Sequence, residues 1–174
     1  MNPDLPAPHG LYDPRFEHDA CGVSFVANVK GVKSRGIVTL GLTALKNMEH
    51  RGATGAEPDT GDGAGILIQV PDAFMRATAG IDLPAAGAYA AGMAFLPAEP
   101  ARTKSAVETV ERITREEGLR PLGWREVPVN PECLGKSARD VMPAFRTYFV
   151  DDPAGAAGID LDRRLFIVRK RIEH

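Results

Sequence analysis

The stretch Cys21-Gly22-Val23-Ser24-Phe25-Val26-Ala27-Asn28-Val29 decides how the rest of this sequence is interpreted. It is short, apolar and rich in β-branched residues, and Val23 and Phe25 alternate with Ser24. This pattern predicts a β-strand over residues 21–29. The twenty residues before it have no periodic pattern and carry several prolines, so they are predicted to form an irregular lead-in.

Helices and strands are both predicted in the remainder of the chain. Ser34 is expected to cap a helix over residues 34–50, whose apolar positions recur with the helical period, and Gly52 is expected to end it. A second long helix is predicted over residues 101–117. Further strands are predicted at 64–70, 88–96, 120–127, 144–150 and 164–170, and short helices within 71–80 and 136–142.

This order of elements predicts an α+β fold. Strands come early, helices intervene and strands return, which suits a four-layer αββα sandwich of which this chain holds an incomplete part. A doubly wound parallel sheet is the competing interpretation, because periodicity alone does not separate the two. A length of 174 residues suits one domain with its own core.

Composition and charge exclude several function classes. A net charge of -2 offers no broad attraction to nucleic acid or an anionic membrane. No run of 18 apolar residues is present, and the acidic, proline-containing start lacks the apolar segment of a secretory signal. Cys21 and Cys133 match neither a disulfide framework nor a metal-ligand spacing. These features predict a cytoplasmic protein that binds no nucleic acid or membrane.

Three segments carry a resemblance to a known family. They are Leu11 to Val23 (LYDPRFEHDACGV), Leu45 to Gln69 (containing EHRGATGA and TGDGAGILI) and, less tightly, Val127 to Gly135. In their order and spacing they resemble the large chains of glutamate synthase, which open with a class-II glutamine amidotransferase domain. The resemblance implies an N-terminal-nucleophile hydrolase of the αββα type, with residues 1–20 as a propeptide and residues 21–174 as the N-terminal portion of the amidotransferase domain.

Cys21 is the catalytic nucleophile that this resemblance implies. Removal of residues 1–20 would give Cys21 a free α-amine, whose pKa of roughly 7.7–8.0 suits it to accept the thiol proton near neutrality. The thiolate would then attack the side-chain amide of glutamine. Without the flanking match, a cysteine at the start of a strand is more often an inert small hydrophobe.

Arg51 is the second catalytic residue that the resemblance implies, because an arginine in the His-Arg-Gly element lies near the nucleophile in such enzymes and favours the thiolate. A cation on the last turn of a helix explains Arg51 equally well. His18 would leave with the propeptide and is not expected to act. The Thr60–Gly65 loop lacks the ending of a phosphate-binding loop and is interpreted as a turn into a strand.

Cofactors and partners are also implied by the resemblance. FMN and an iron–sulfur cluster are expected in the full-length protein, where ammonia is used to make glutamate from 2-oxoglutarate, but no cofactor or metal residue is expected in this stretch. Expected partners are L-glutamine and the downstream synthase domains, with a glutamate synthase small subunit as a further candidate. The Asn-Gly oxyanion pair of the family is absent from residues 1–174, so the isolated chain is expected to be nearly inactive.

Two alternatives stay open at the level of sequence. One is a truncated or degenerate, non-catalytic interaction module, and the other is a different class-II glutamine amidotransferase. The basic residues Arg163, Arg164, Arg169, Lys170 and Arg171 are interpreted as charges that protect an edge strand from pairing. Cys133 matches nothing functional.

Overall fold

The computed structural model describes residues 7–10, 13, 22–48, 52, 57, 59–61 and 63–173. The chain divides into two compact units. The first unit consists of Met1–Ile68 with Leu134–Ser137, and the second consists of Gln69–Cys133 with Ala138–His174. No helix formed by the described residues combines the length and the apolar character needed to cross a bilayer.

The long helix of the first unit begins where the sequence predicts. Helix α1 spans Arg35–Asn47, and the Ser34 hydroxyl accepts a hydrogen bond from the Ile37 N–H at 3.4 Å. This bond satisfies one of the backbone donors that a helix leaves free at its start. The predicted cap is therefore confirmed. The helix ends at Asn47, with Met48 as its C-cap, before the predicted end at residue 50.

Two predicted strands of the first unit do not form. The described residues 22–29 and 63–70 carry no strand hydrogen bonding. Val23, Phe25 and Leu67 are 88 %, 92 % and 99 % exposed, so their apolar alternation meets no covering layer in the described chain. A strand needs a partner to satisfy its backbone groups. The predictions for 21–29 and 64–70 are therefore wrong for the residues described here.

The second unit contains most of the regular structure. Its middle predicted strands are confirmed, as are the predicted helices over 71–80, 101–117 and 136–142; the short helix α4 crosses the boundary between the units. The elements are α2 (Asp72–Thr78), β1 (Tyr89–Leu96), α3 (Pro100–Glu116), β2 (Arg120–Glu126), α4 (Lys136–Asp140), β3 (Ala144–Asp151) and α5 (Ile159–Glu173), with a 3₁₀ turn at Pro131–Cys133.

The three strands form one antiparallel sheet in the order β1-β3-β2. Since both outer strands run antiparallel to β3, they are parallel to each other and are joined through α3, with β3 inserted between them as in a split β-α-β unit. The described strands thus form an α+β arrangement. The doubly wound parallel sheet, which was the competing interpretation, is wrong for this part of the chain.

Strand β3 is covered on both faces. Tyr148 and Val150 pack into a core with Leu161 and Val168 of α5, whereas Phe149, which is fully buried, packs on the other face with Leu83. Successive side chains of a strand point to opposite faces. One strand therefore contributes to two separate hydrophobic clusters.

A polar contact inside the first of these clusters is fully satisfied. The Tyr148 hydroxyl donates to Thr114 Oγ1 at 3.0 Å, and Thr114 donates in turn to the Val110 carbonyl at 2.8 Å. Trp124 stacks on the Tyr148 ring with centroids 4.3 Å apart. Burial raises the pKa of Tyr148 to about 12, so the phenol stays neutral at physiological pH.

A bulge in β2 depends on one glycine. The pairing with β3 shifts between Pro121 and Gly123. Gly123 has φ +147, and a Cβ on it would lie 2.9 Å from Ile81 Cδ1. Only glycine tolerates both this backbone conformation and this close approach.

The last predicted strand, at 164–170, is wrong because this segment lies in helix α5. The residues of α5 that pack on the core are Leu161, Leu165, Val168 and Ile172, spaced four, three and four residues apart. This is the period of a helix. Phe166 and Ile167, which made the segment resemble a strand, are 55 % and 50 % exposed.

The basic residues of α5 are paired and do not protect a strand edge. Four of them form ion pairs with acidic side chains on α5 or at the end of α3: Arg163–Asp160, Arg169–Glu173, Lys170–Glu173 and Arg171 with Glu116 and Glu117. The fifth, Arg164, pairs with the buried Asp152 and donates to the Glu117 carbonyl at 2.8 Å. Hydrogen bonds from the Ala154 N–H and from Arg164 hold the pKa of Asp152 below its usual value.

Replacing Leu161 and Phe166 separately by alanine tests the helical assignment of α5. Leu161→Ala should lower the free energy of unfolding by about 2–5 kcal/mol, because Leu161 is 2 % exposed. Phe166→Ala should cost about 1 kcal/mol or less, since its ring mainly meets solvent and Arg169. Urea unfolding followed by fluorescence of Trp124, the single tryptophan, measures both. A larger loss for Phe166→Ala would contradict the helix.

Candidate functional site

The two predicted catalytic residues, Cys21 and Arg51, lie outside the described residues, as do His18 and His50. Their described neighbours are in contact. A Cβ added to Gly22, the residue after Cys21, would lie 2.9 Å from Met48 Sδ. Met48 is the C-cap of α1 and stands three residues before Arg51 in the sequence. The start of residues 22–30 thus packs against the end of α1.

The segment after the Thr60–Gly65 loop packs on the same helix. A Cβ on Gly41 would lie 3.0 Å from Ile66 Cδ1, so glycine allows Ile66 to approach α1 closely. Gly41 and Met48 are two helical turns apart, which places them on one face at a separation of about 10 Å along the axis. Helix α1 therefore supports both Gly22 and the segment that contains Ile66.

A polar cluster joins residues 57–60 to residues 134–137 within the first unit. The Glu57 carboxylate oxygen Oε2 accepts three hydrogen bonds, from Thr60 Oγ1 at 2.8 Å, Ser137 Oγ at 2.9 Å and the Ser137 N–H at 3.1 Å. The Gly135 N–H donates to the Asp59 carbonyl at 3.1 Å. We call these residues the Glu57 cluster: Glu57, Asp59, Thr60, Gly135 and Ser137.

The Glu57 cluster leaves no room for a side chain at position 135. A Cβ on Gly135 would lie 2.1 Å from Thr60 Oγ1 and 2.6 Å from Glu57 Oε2. The hydrogen bonds from the Ser137 N–H, then from the Thr60 and Ser137 hydroxyls, lower the pKa of Glu57 from its ordinary value. Glu57 is therefore a carboxylate at neutral pH, and its donors stabilise that form.

Sequence reasoning did not identify Glu57 or Ser137. The sequence around Glu57 is compatible with a turn, since Glu57 stands three residues before Thr60. In the structure the Thr60 N–H donates to the Glu57 carbonyl at 3.1 Å and closes this turn. The contact that gives Glu57 its partners spans 80 residues. A single sequence carries no sign of such a pairing.

Other candidate groups show no reactive arrangement. Cys133 is exposed, and its thiol donates to the Asn130 carbonyl at 3.1 Å. Among the described residues, no three His, Cys, Asp or Glu side chains are grouped so that they could hold a metal ion. The glycines at 63 and 65 lead into residues 66–70, which form neither a helix nor a strand.

Comparison with known proteins shows what this chain is similar to. A sequence model of a family described as class-II glutamine amidotransferases matches residues 21–174. Among curated proteins, the chain is 39 % identical over 172 residues to the glutamate synthase [NADPH] large chain of Bacillus subtilis. That alignment covers 98 % of this chain and 11 % of the relative.

Two ferredoxin-dependent enzymes are similarly close. Ferredoxin-dependent glutamate synthase 2 of Synechocystis is 43 % identical over 159 residues, covering 90 % of this chain and 10 % of the relative. Ferredoxin-dependent glutamate synthase 1 of Arabidopsis thaliana is 41 % identical over 169 residues, covering 94 % and 10 %. The chain spans about a tenth of the length of the curated relatives that it matches.

The hydrogen bonds of the Glu57 cluster predict a lowered pKa for Glu57, which can be measured directly. The pKa of Glu57 should lie below the ordinary value of a glutamate, and Ser137→Ala should move this pKa part of the way back, since one of the three donors is lost. A group whose folded-state pKa is depressed contributes stability that is complete above its unfolded pKa and is lost as the pH falls through the folded value. Side-chain carbonyl NMR of the 174-residue chain measures the titration.

Ser105→Ala is the matched control for this titration, because it removes an exposed hydroxyl on α3, which belongs to the second unit. It should leave the pKa of Glu57 unchanged. A Glu57 pKa at or above that of an ordinary exposed glutamate in the parent chain would show that the three hydrogen bonds do not form in solution.

Proposed function

This chain belongs to the class-II glutamine amidotransferase family, and we propose that it forms the glutamine-hydrolysing part of a glutamate synthase. The observation that carries the proposal is the family match, which begins at Cys21 and runs to residue 174. The relatives at 39–43 % identity are themselves named glutamate synthases. The proposed products are glutamate and ammonia, and the ammonia would serve glutamate synthesis from 2-oxoglutarate in the full-length protein.

Cys21 is the proposed nucleophile. Its α-amine, freed by removal of residues 1–20, takes the thiol proton, and the thiolate attacks the side-chain carbonyl carbon of glutamine. The C–N bond breaks, the nitrogen takes up a proton and leaves as ammonia, and a γ-glutamyl thioester remains. Water then hydrolyses the thioester, which releases glutamate and restores the thiol.

Arg51 is proposed to stabilise the thiolate through its positive charge. The contact between Gly22 and Met48 supports this role. Gly22 directly follows Cys21, and Met48 stands three residues before Arg51 in the sequence. A free, reactive thiol also suits the cytoplasm, where cysteines are kept reduced, and we place the reaction there.

The four-layer αββα sandwich is part of the same proposal. Membership of the family supports it, and so does the exposure of apolar side chains along residues 22–29 and 66–70. In a sandwich, apolar surface on the inner side of one layer is covered by the next layer. Val23, Phe25 and Leu67 offer apolar surface suited to such a layer.

FMN and an iron–sulfur cluster are proposed for the full-length protein, outside this chain. The donor set here does not fit a cluster, since the sequence holds two cysteines and a [4Fe–4S] or [2Fe–2S] site takes four cysteine ligands. No step is therefore assigned to these groups in the present residues. The proposed partners are L-glutamine, the other synthase domains and a small subunit.

Replacing Cys21 by alanine in the full-length protein should abolish glutamine-dependent glutamate synthesis, because the attacking atom is lost. Ammonia-dependent synthesis should persist, since free ammonia bypasses the glutaminase step. The ratio of the two activities is the measurement. Cys133→Ala is the matched control and should leave the ratio unchanged, because its exposed thiol contacts only a loop carbonyl.

Two outcomes of this experiment would contradict the proposal. Full glutamine-dependent activity in Cys21→Ala would remove Cys21 from the mechanism. Equal losses of both activities would show that Cys21 has a structural role in folding.

Processing supplies an independent test. Intact-mass measurement of the native full-length protein should show the loss of residues 1–20, so that Cys21 is the first residue. While those residues remain attached, the Cys21 nitrogen is an amide and cannot accept a proton. An active enzyme that still begins at Met1 would show that the α-amine is not the base.

A further inference from the structure

We propose that Glu57 is a positioning residue of the glutaminase site, because it fastens the turn that begins the Thr60–Gly65 loop to residues 134–137. This inference rests on the proposed function. Glu57 itself touches no reacting atom in this scheme. It acts through the place that it gives to Thr60 and the residues after it.

The fastening is specific because all three donors meet at one oxygen. Glu57 Oε2 accepts from both the backbone and the hydroxyl of Ser137, and from the Thr60 hydroxyl of its own turn. Hydrogen bonds to an ionised acceptor are about twice as strong as neutral ones. Ser137 and Thr60 are thereby held to the same atom from two segments that are distant in the sequence.

The backbones of the two segments also lie close together. The Gly135 N–H donates to the Asp59 carbonyl, and the space beside Gly135 is filled by Thr60 and Glu57. The turn can therefore shift little relative to residues 134–137 without breaking a hydrogen bond or meeting backbone. Such a double attachment is what keeps a loop in one conformation.

The attached loop leads to the helix that also supports Gly22. Ile66, the residue after the loop, packs on Gly41 of α1, and Gly22 packs on Met48 about 10 Å further along the same face. The Thr60–Gly65 loop is thus held at one end by the Glu57 cluster and at the other by α1. A displacement of the turn at Thr60 would therefore act on the helix that Gly22, the residue after the proposed nucleophile, also contacts.

Active sites tolerate little displacement of the residues that position them. A misplacement of about 1 Å far from the chemistry can cost about 100-fold in rate. In the full-length protein, Glu57→Ala should lower kcat/KM for glutamine about 10- to 100-fold, because three hydrogen bonds lose their acceptor. Ammonia-dependent synthesis should be unchanged.

Glu57→Gln separates geometry from charge. The glutamine side chain has the same shape, and its uncharged carbonyl oxygen can accept two of the three hydrogen bonds that Glu57 Oε2 accepts. This variant should lose less kcat/KM for glutamine than Glu57→Ala does, because part of the hydrogen bonding remains. A loss as large as that of Glu57→Ala would overturn a positioning role based on geometry.

Gly135→Ala attacks the cluster from the opposite segment. Its methyl group would meet Thr60 Oγ1 at 2.1 Å, so the loss in kcat/KM for glutamine should resemble that of Glu57→Ala. Gly92→Ala is the matched control for Gly135→Ala, because a Cβ at Gly92 has open space around it. Glu108→Ala is the control for Glu57→Ala, since Glu108 is exposed and its ion pair with Lys104 is 4.0 Å long. Both controls should match the parent.

Cys21→Ala, measured in parallel, separates failure of this inference from failure of the proposed function. If Cys21→Ala abolishes glutamine-dependent activity and Glu57→Ala leaves kcat/KM unchanged, only the positioning role is overturned. Equal loss of glutamine- and ammonia-dependent activity in Glu57→Ala would overturn it as well. If Glu57→Ala does not fold, Ser137→Ala decides: a severalfold fall in kcat/KM supports the role, and an unchanged value overturns it.

Discussion

The burial of β3 on both faces is the constraint on which the second unit depends. Tyr148 and Val150 belong to one cluster and Phe149 to the other, so the register of this strand determines both cores at once. A slip of one residue would exchange the faces of all three side chains. Helices α3 and α5 on one face, and α2 on the other, pack against a surface that only one register provides.

Periodicity and local capping signals predicted most of the helices and strands of the described chain. The Ser34 cap, α3 and the three strands of the sheet were found where the sequence placed them. Helix α5 was missed because four consecutive apolar residues, Leu165 to Val168, resemble a strand, although two of them face outward. Spacing over a longer window, from Leu161 to Ile172, carries the correct period.

The strands predicted at 21–29 and 64–70 show where prediction from composition fails. Their composition is that of strands, yet strand formation depends on hydrogen-bonding partners that composition does not reveal. The site has the same limit. Cys21 and Arg51 were inferred through a family resemblance, whereas Glu57 became visible only when its oxygen was found beside Ser137, 80 residues away.

The Glu57 cluster also bears on the order in which the chain can fold as it is made. Translation proceeds at about 5–20 residues per second, so Ser137 emerges about 4–16 s after Glu57. During that interval the first unit lacks one of its two chain segments, and the central strand β3 of the second unit has not yet been synthesised. A contact between residues that are 80 positions apart also raises the contact order, which slows folding. On the ribosome, the first unit could therefore complete its contacts only after residues 134–137 have been synthesised. Until then its apolar segments would be accessible to chaperones.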